Sequence, residues 1–429
     1  MAKRHVVLIP GYYGSNLRDR VSNTLFWLSL FTIQKPEHTL EGIRLPNSAG
    51  RVFADGIVDN FKILLKVPIY HSLIAFLERK VGYARDEIHA LGIDWRQSLN
   101  DLVDVLKTAI DDAVQSSGQK VDLLAHSHGG LVARAYLDQN RGGQVEKLIT
   151  LGVPHNGMLE TMEAVCKGIQ LLRFDPNQLM DVARGFPSVY ELLPVNATDG
   201  YFVWNNVATT PFAVTDWCAT PDMVTRANDA AKIVPLQTDL PVPLFAIHGT
   251  RTSTTVKATG PVNGNNGVTF TVDDAGDGTV PLDSGAARGI TSQGGVQRFA
   301  VPFAGHAFIF DNPNTQEVIR HILNGDPQPP AYFTAEWENE IYLPGSANRV
   351  VAVLDDFSGD PIAGAAVTLT LPGLGVTDQP LVFDDARGDF ILTVNMPGAG
   401  TNVPYVIRAS APMLAQPLEK SGLLAAASN

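Results

Sequence analysis

The apolar run Val121-Asp122-Leu123-Leu124 passes directly into Ala125-His126-Ser127-His128-Gly129 and then into Gly130-Leu131-Val132-Ala133-Arg134-Ala135-Tyr136-Leu137. This pattern predicts a strand, a tight turn and a helix, with a serine at the apex. Small residues flank the apex because strand and helix approach so closely in such a turn that bulkier neighbours would clash. Ser127 is expected there in a strained, exposed position from which its hydroxyl can attack a carbonyl. Ala125 stands where the G-x-S-x-G pattern has its first glycine, a change small enough to keep the geometry. Such a pentapeptide means little in a loop; between a strand and a helix it calls for a parallel sheet.

The rest of the first 323 residues supplies one. Val6–Ile9, Val121–Leu124, Val145–Leu151, Val242–His248 and Val296–Val301 are short, nearly continuous apolar runs, as expected for parallel strands covered on both faces. Leu99, Leu102, Val103, Leu106, Ile110 and Val114 fall at intervals of three and four, which predicts an amphipathic helix packed on that sheet. Asn314 with Glu317 reads as the N-terminal cap of a helix over Val318–Leu323. Strands alternating with helices predict a doubly wound α/β sheet.

Residues from about 155 to 240 break the rhythm with Leu171-Leu172-Arg173-Phe174, Met180, Phe186, Tyr190, Tyr201-Phe202-Val203-Trp204, Phe212 and scattered prolines. Too long for a loop, they are expected to form a cap over the catalytic face, connecting helices with a core of their own, or both. The aromatic stretch Leu25–Phe31 is expected to be buried beside the site, with lipid contact as the alternative.

Asn324-Gly325-Asp326-Pro327-Gln328-Pro329-Pro330 reads as a linker. Beyond it, Arg349–Leu354, Ala366–Leu371, Asp389–Val394 and Tyr405–Arg408 are short strand-like segments separated by turn residues, and Gly359–Ala365 resembles the turn of bacterial immunoglobulin-like modules. Residues 326–429 are therefore expected to form a small β-sandwich appended to an α/β domain of residues 1–325.

With a net charge of -12, the chain lacks the basic surface that nucleic acid binding requires, and simple adsorption to anionic lipid is disfavoured. No run approaches the ~20 apolar residues of a membrane span. The apolar run at residues 5–10 is too short for a signal-peptide core, so the chain as written is expected in the cytoplasm. Secretion or surface attachment stays open if a leader has been removed. Cys166 and Cys218 read as two reduced thiols that could also pair.

A serine nucleophile needs a base to take its proton, and the base needs a carboxylate to fix its tautomer. Both follow Ser127 in the order acid, then histidine. Asp277 lies in the glycine-rich loop Asp273–Pro281 after a strand-like segment, and His306 lies in Gly305-His306-Ala307-Phe308 after the run ending at Val301. Either residue alone is an ordinary loop residue; the fixed order makes the triad. The negative charge that grows on the carbonyl oxygen needs fixed backbone donors. The amide of His128 is one candidate, and the amide of Tyr12, in the loop Pro10-Gly11-Tyr12-Tyr13-Gly14-Ser15, is the other. His126 is expected to pack or hydrogen-bond locally, His155 to be structural, and Asp94 and Arg96 to form an ion pair. The spacing of histidines and carboxylates supports no metal site, apart from a weak opening at Asp273 and Asp274, and no cofactor is expected.

Several signposts together give a resemblance. Ile9–Leu17 is similar to a proline-glycine oxyanion loop, Gly82–Glu87 precedes Asp94-Trp95-Arg96, Leu151-Gly152-Val153-Pro154 comes with Gly157, Glu191-Leu192-Leu193-Pro194 follows, and Gly276–Val280 carries the acid. In that order they resemble the lecithin:cholesterol acyltransferase and lysosomal phospholipase family of α/β-hydrolases. His128 departs from the Met or Leu usual in eukaryotic members, and the cysteines do not fall where the family's lid disulfide would need them. Ala-His-Ser-His-Gly is also similar to bacterial triacylglycerol lipases. The resemblance implies an acyl-ester lipid substrate, a lid that touches the lipid interface, and transfer of the acyl group to water or an alcohol. A lipase or esterase is the leading expectation, an acyltransferase the second, and a binding protein that has lost activity the third.

Overall fold

A computed structural model describes residues 3–27, 32, 34–58, 70–140, 142–262, 267–325, 331–356, 361–362, 364–384, 388–398, 401–412, 414 and 416–427. The chain divides into two compact units, residues 1–299 with 303–326 and residues 327–429 with 300–302.

The first unit is built on a six-stranded sheet. Its strands are β1 (Val6–Ile9), β2 (Ile88–Ala90), β3 (Val121–His126), β4 (Val145–Leu151), β5 (Leu244–Thr250) and β6 (Val296–Pro302). They lie in the order β6-β5-β4-β3-β1-β2, and the pairings from β2 through β5 are parallel. Every residue of β1 and β3 is buried, as a strand covered on both faces must be. The helix Leu99–Ser117 covers one face with Leu99, Leu102, Val103, Leu106, Ile110 and Ala113, while the expected Val114 is only partly buried. The three-residue β2 is too short to have shown in the hydropathy pattern.

Register positions the loops. Ile9 pairs with Ala125, His126 with Leu151, and Leu151 with Ile247. The carboxyl ends of three neighbouring strands therefore coincide, and the chain leaves the sheet at Pro10, Ser127 and Gly152 along one edge, while β5 runs on beside them to Thr250. Ligand sites of parallel sheets form at that edge.

Between β4 and β5 stand the helices Glu160–Cys166, Pro176–Ala183, Pro187–Glu191 and Pro221–Ala230, with the hairpin Phe202–Trp204 and Val207–Thr209. They carry a core of their own, in which Phe174, Phe186, Tyr190, Trp204 and Trp217 pack with Trp27 and Trp95. Phe26 and Trp27 of the aromatic stretch are buried, and Trp27 lies against Phe174 and Tyr13; residues 28–31 lie outside the described residues.

One local expectation needs correction. The C-terminal helix of this unit runs Pro313–Asn324, and its cap is Asn312, not Asn314: the Asn312 side chain accepts from the amides of Asn314 and Thr315. Pro313 fits the first helical position because its fixed φ suits a helix and no partner is missing for an absent N–H. The strand-like segment expected before the acidic loop is a strand, Thr269–Asp273, and it lies outside the six-stranded central sheet. Thr254–Gly260 and Thr269–Asp273 form an antiparallel pair that joins the Phe202–Trp204 hairpin.

The second unit consists of two sheets. One orders Tyr332–Trp337, Ala347–Asp355, Asp389–Asn395 and Val382–Asp384; the other orders Ile341–Tyr342, Leu418–Ala426, Val403–Ser410, Ala366–Leu371 and Val376–Pro380. Trp337, Tyr342, Leu354, Leu369, Phe390 and Ile407 belong to their common core. Residues 326–330 of the expected linker, and 359, 360 and 363 of the expected turn, lie outside the described residues.

Candidate active site

The turn from β3 into the helix His128–Asn140 holds Ser127 at φ +51°, a conformation side-chain-bearing residues rarely adopt. Behind it, the chain leaving β1 and β4 presses on the start of the helix too closely for anything larger than glycine. A Cβ on Gly129 would lie 2.4 Å from the Pro10 carbonyl oxygen, and one on Gly130 would lie 2.2 Å from Val153. The turn is strained as expected, but Ser127 is not exposed: only 3% of its surface is accessible. The loop after β1 presses against it, so that a Cβ on Gly11 would come within 2.8 Å of the Ser127 Cβ.

Ser127 Oγ lies 2.8 Å from His306 Nε2, and His306 Nδ1 lies 2.8 Å from Asp277 Oδ2. A carboxylate only accepts, so Nδ1 carries the proton and Nε2 is left to accept from the serine hydroxyl. Asp277 Oδ1 accepts from the amides of Thr279 and Val280, at 3.0 and 2.7 Å, and the Asp277 carbonyl accepts from the His306 amide at 2.8 Å. Burial opposes a charge on the His306 ring, yet the Asp277 carboxylate and its hydrogen bond, with Glu160 behind them, hold its pKa above the ordinary value. Gly152, at φ +54°, lines the Asp277–His306 pair; a Cβ there would lie 2.8 Å from Asp277 Oδ2.

Tyr12 and His128 are neighbours, with ring centroids 5.8 Å apart. The loop around Tyr12 is closed by a hydrogen bond from the Gly14 amide to the Gly11 carbonyl, and Tyr13 takes φ +64°. His128 opens the helix, where first-turn amides have no partner within it. Burial pushes its imidazole down to about 4, so the ring is neutral.

Four residues near Ser127, His306 and Asp277 carry contacts that no motif announced. Gly152 appeared only as a signpost. Glu160, which accepts a hydrogen bond from Thr279, is held above the ordinary carboxylate range by burial. Tyr70 lies in no motif, and its hydroxyl meets both the Gly11 amide and His126 Nδ1 at 2.7 Å. His126 does not bond locally, as expected, but reaches the His306 carbonyl with Nε2 at 3.0 Å. His155 is structural: its carbonyl accepts from Arg134, and its Nε2 meets Thr150 Oγ1. Asp94 and Arg96 pair at 2.6 Å, and Arg96 also donates to the Ile43 and Val52 carbonyls and to Ser48. Cys166 and Cys218 are free thiols, each pushed up by burial to about 12. Among the described residues no group of three His, Cys, Asp or Glu could hold a metal ion, and no helix is long and apolar enough to cross a membrane.

Residues 48–256 match the family model described as lecithin:cholesterol acyltransferase. No curated protein matches the chain in sequence. Among solved structures, the Tle4–Tli4 complex contains a chain similar over 74% of this one and 98% of its own length, at 13% identity and a TM-score of 0.53. The mature Bacillus licheniformis lipase BlEst2 is similar over 75% of this chain and 92% of its own, at 15% identity and a TM-score of 0.36. Phospholipase PlaB from Legionella pneumophila is similar over 98% and 90%, at 12% identity and a TM-score of 0.29. The central parallel sheet flanked by helices is the α/β-hydrolase fold, and residues 48–256 of this chain are similar to the lecithin:cholesterol acyltransferase family.

Proposed function

We propose that the protein is a serine esterase of acyl lipids. The observation that carries the reading is the continuous hydrogen-bonded line Ser127–His306–Asp277, both links 2.8 Å, at a left-handed turn beneath a glycine loop. His306 Nε2 takes the Ser127 proton as Oγ adds to the ester carbonyl, and Asp277 stabilises the imidazolium that results. The amides of Tyr12 and His128 receive the oxyanion. Collapse of the tetrahedral adduct expels the alcohol with the proton from His306 and leaves an acyl group on Ser127. Water, deprotonated by His306, then releases the acid. An acceptor alcohol can replace that water, a second reading favoured by the family match over residues 48–256. The helices between β4 and β5 serve in this reading as the cap that meets the lipid.

Hydrolysis of p-nitrophenyl esters from acetyl to palmitoyl tests the proposal. Turnover is expected to rise with chain length and to fall by a factor of at least about 10³ in Ser127→Ala. Activity that survives in Ser127→Ala removes the triad. With a long-chain alcohol added, ester among the products identifies transfer, and free acid alone identifies hydrolysis.

A further inference from the structure

Two parts of the site come from distant stretches of chain: the loop after β1, and the peptide of His306 beyond β6. A buried file of hydrogen bonds joins them. The Gly11 amide donates to Tyr70 Oη at 2.7 Å, Tyr70 Oη lies 2.7 Å from His126 Nδ1, and His126 Nε2 lies 3.0 Å from the His306 carbonyl oxygen.

The direction of each bond follows from what the ends can do. A carbonyl only accepts, so His126 Nε2 carries the proton. Nδ1 is then an acceptor, and Tyr70 must donate to it. The Tyr70 oxygen is left to accept from the Gly11 amide, and no polar atom in the file is wasted. Burial pushes the His126 imidazole down to about 3, with the charge of His306 acting the same way, so this one tautomer persists across the pH range of the enzyme. Phe310 seals the file against water: it stacks on Tyr70 at 5.1 Å and meets His126 edge-on at 5.4 Å.

Both ends bear on the reaction. Gly11 immediately precedes Tyr12, whose amide is the proposed oxyanion donor, and Gly11 lies against the Ser127 side chain. At the other end, the His306 peptide is held on both sides, its amide by the Asp277 carbonyl and its carbonyl by His126. We infer that Tyr70 and His126 are positioning residues, a brace that sets the oxyanion loop and the base His306 in one register around Ser127. This inference rests on the serine esterase reading. A buried polar file in which every group is satisfied specifies one geometry, and a displacement of about 1 Å at such a site costs about a hundredfold in rate.

The test uses the full chain, p-nitrophenyl butyrate, a trifluoromethyl ketone that forms an oxyanion on Ser127, and a fluorophosphonate to count active sites. Tyr70→Phe is expected to lower kcat per labelled site by about tenfold or more with KM held within about twofold, and to weaken the ketone by a matching factor. His126→Ala is expected to slow fluorophosphonate labelling, and His126→Gln, whose amide can still donate to the His306 carbonyl, to restore part of that rate. A purely structural role would lower the melting temperature and leave kcat per labelled site unchanged; that result in Tyr70→Phe overturns the brace. If Tyr70→Phe does not fold, the His126 pair decides, and equal rates for Ala and Gln overturn it. A wild-type protein inert to ester and fluorophosphonate removes the esterase reading itself, and the brace with it.

Discussion

At the scale of single residues, the site is set by how one imidazole is charged. In the proposed mechanism His306 must be neutral to accept the Ser127 proton, so kcat/KM is expected to fall as pH drops through its pKa. Asp277 and Glu160 together raise that pKa, which places the acid limb of the profile above the ordinary histidine value. Glu160→Gln removes one of these charges without touching the Ser127–His306–Asp277 bonds. The acid limb is expected to move to lower pH, with the plateau unchanged. A limb that stays in place, measured as kcat/KM between pH 5 and 9, assigns the whole shift to Asp277. Residues such as Ser127, Asp277 and His306 were legible because each stands in a short motif and their order along the chain is constrained. Tyr70, Glu160 and the true partners of His126 were not. Their meaning lies in contacts such as Tyr70 with His126 and His126 with His306, 56 and 180 positions apart, which no local pattern records.

Elements show the same division. Apolar runs revealed the long inner strands, and the β3 turn to its helix was legible outright. The acidic loop was legible from its glycines, but its setting was not: Asp277 follows an antiparallel excursion from β5 and not a strand of the central sheet. Glu191 was visible only as a signpost; its carboxylate accepts from Ser98 Oγ and the Leu99 amide, capping the helix Leu99–Ser117 from the far side of the chain. Within the sheet, β3 and β4 set Asp122 beside Lys147, at 3.6 Å. Burial pushes the Asp122 carboxyl up to about 6, against the pull of Lys147 and Arg4. The group is easier to ionise in the unfolded chain, near pH 4. Its contribution is therefore fully present below pH 4 and is lost as pH rises through 6. Asp122→Asn is expected to match the wild type near pH 4 and to exceed it by about 3 kcal/mol at pH 8. Urea unfolding at the two pH values checks this; a variant less stable at pH 8 would mean that the Lys147 pair outweighs the burial of the charge.

For the whole molecule, the distribution of cores decides what the second unit contributes. Ser127, Asp277, His306, Tyr12, Tyr70 and His126 all lie between residues 12 and 306, and the buried side chains beyond them in the same unit, such as Phe310, Val318 and Ile322, end at Leu323 among the described residues. Among the described residues, the core of the second unit draws on residues 331–426. Two cores with no shared member are expected to fold as separate cooperative units. A chain ending after Gly325 should then keep kcat and KM for p-nitrophenyl butyrate within about twofold, counted per fluorophosphonate-labelled site. Short soluble esters report the chemistry alone, so the same chain assayed on long-chain lipid in vesicles reads what the β-sandwich adds. Unchanged rates on both substrates assign the sandwich no part in turnover. A loss confined to vesicles makes it an attachment module, and a loss on the soluble ester shows that the geometry around Ser127 depends on the second unit, against the separation of the cores.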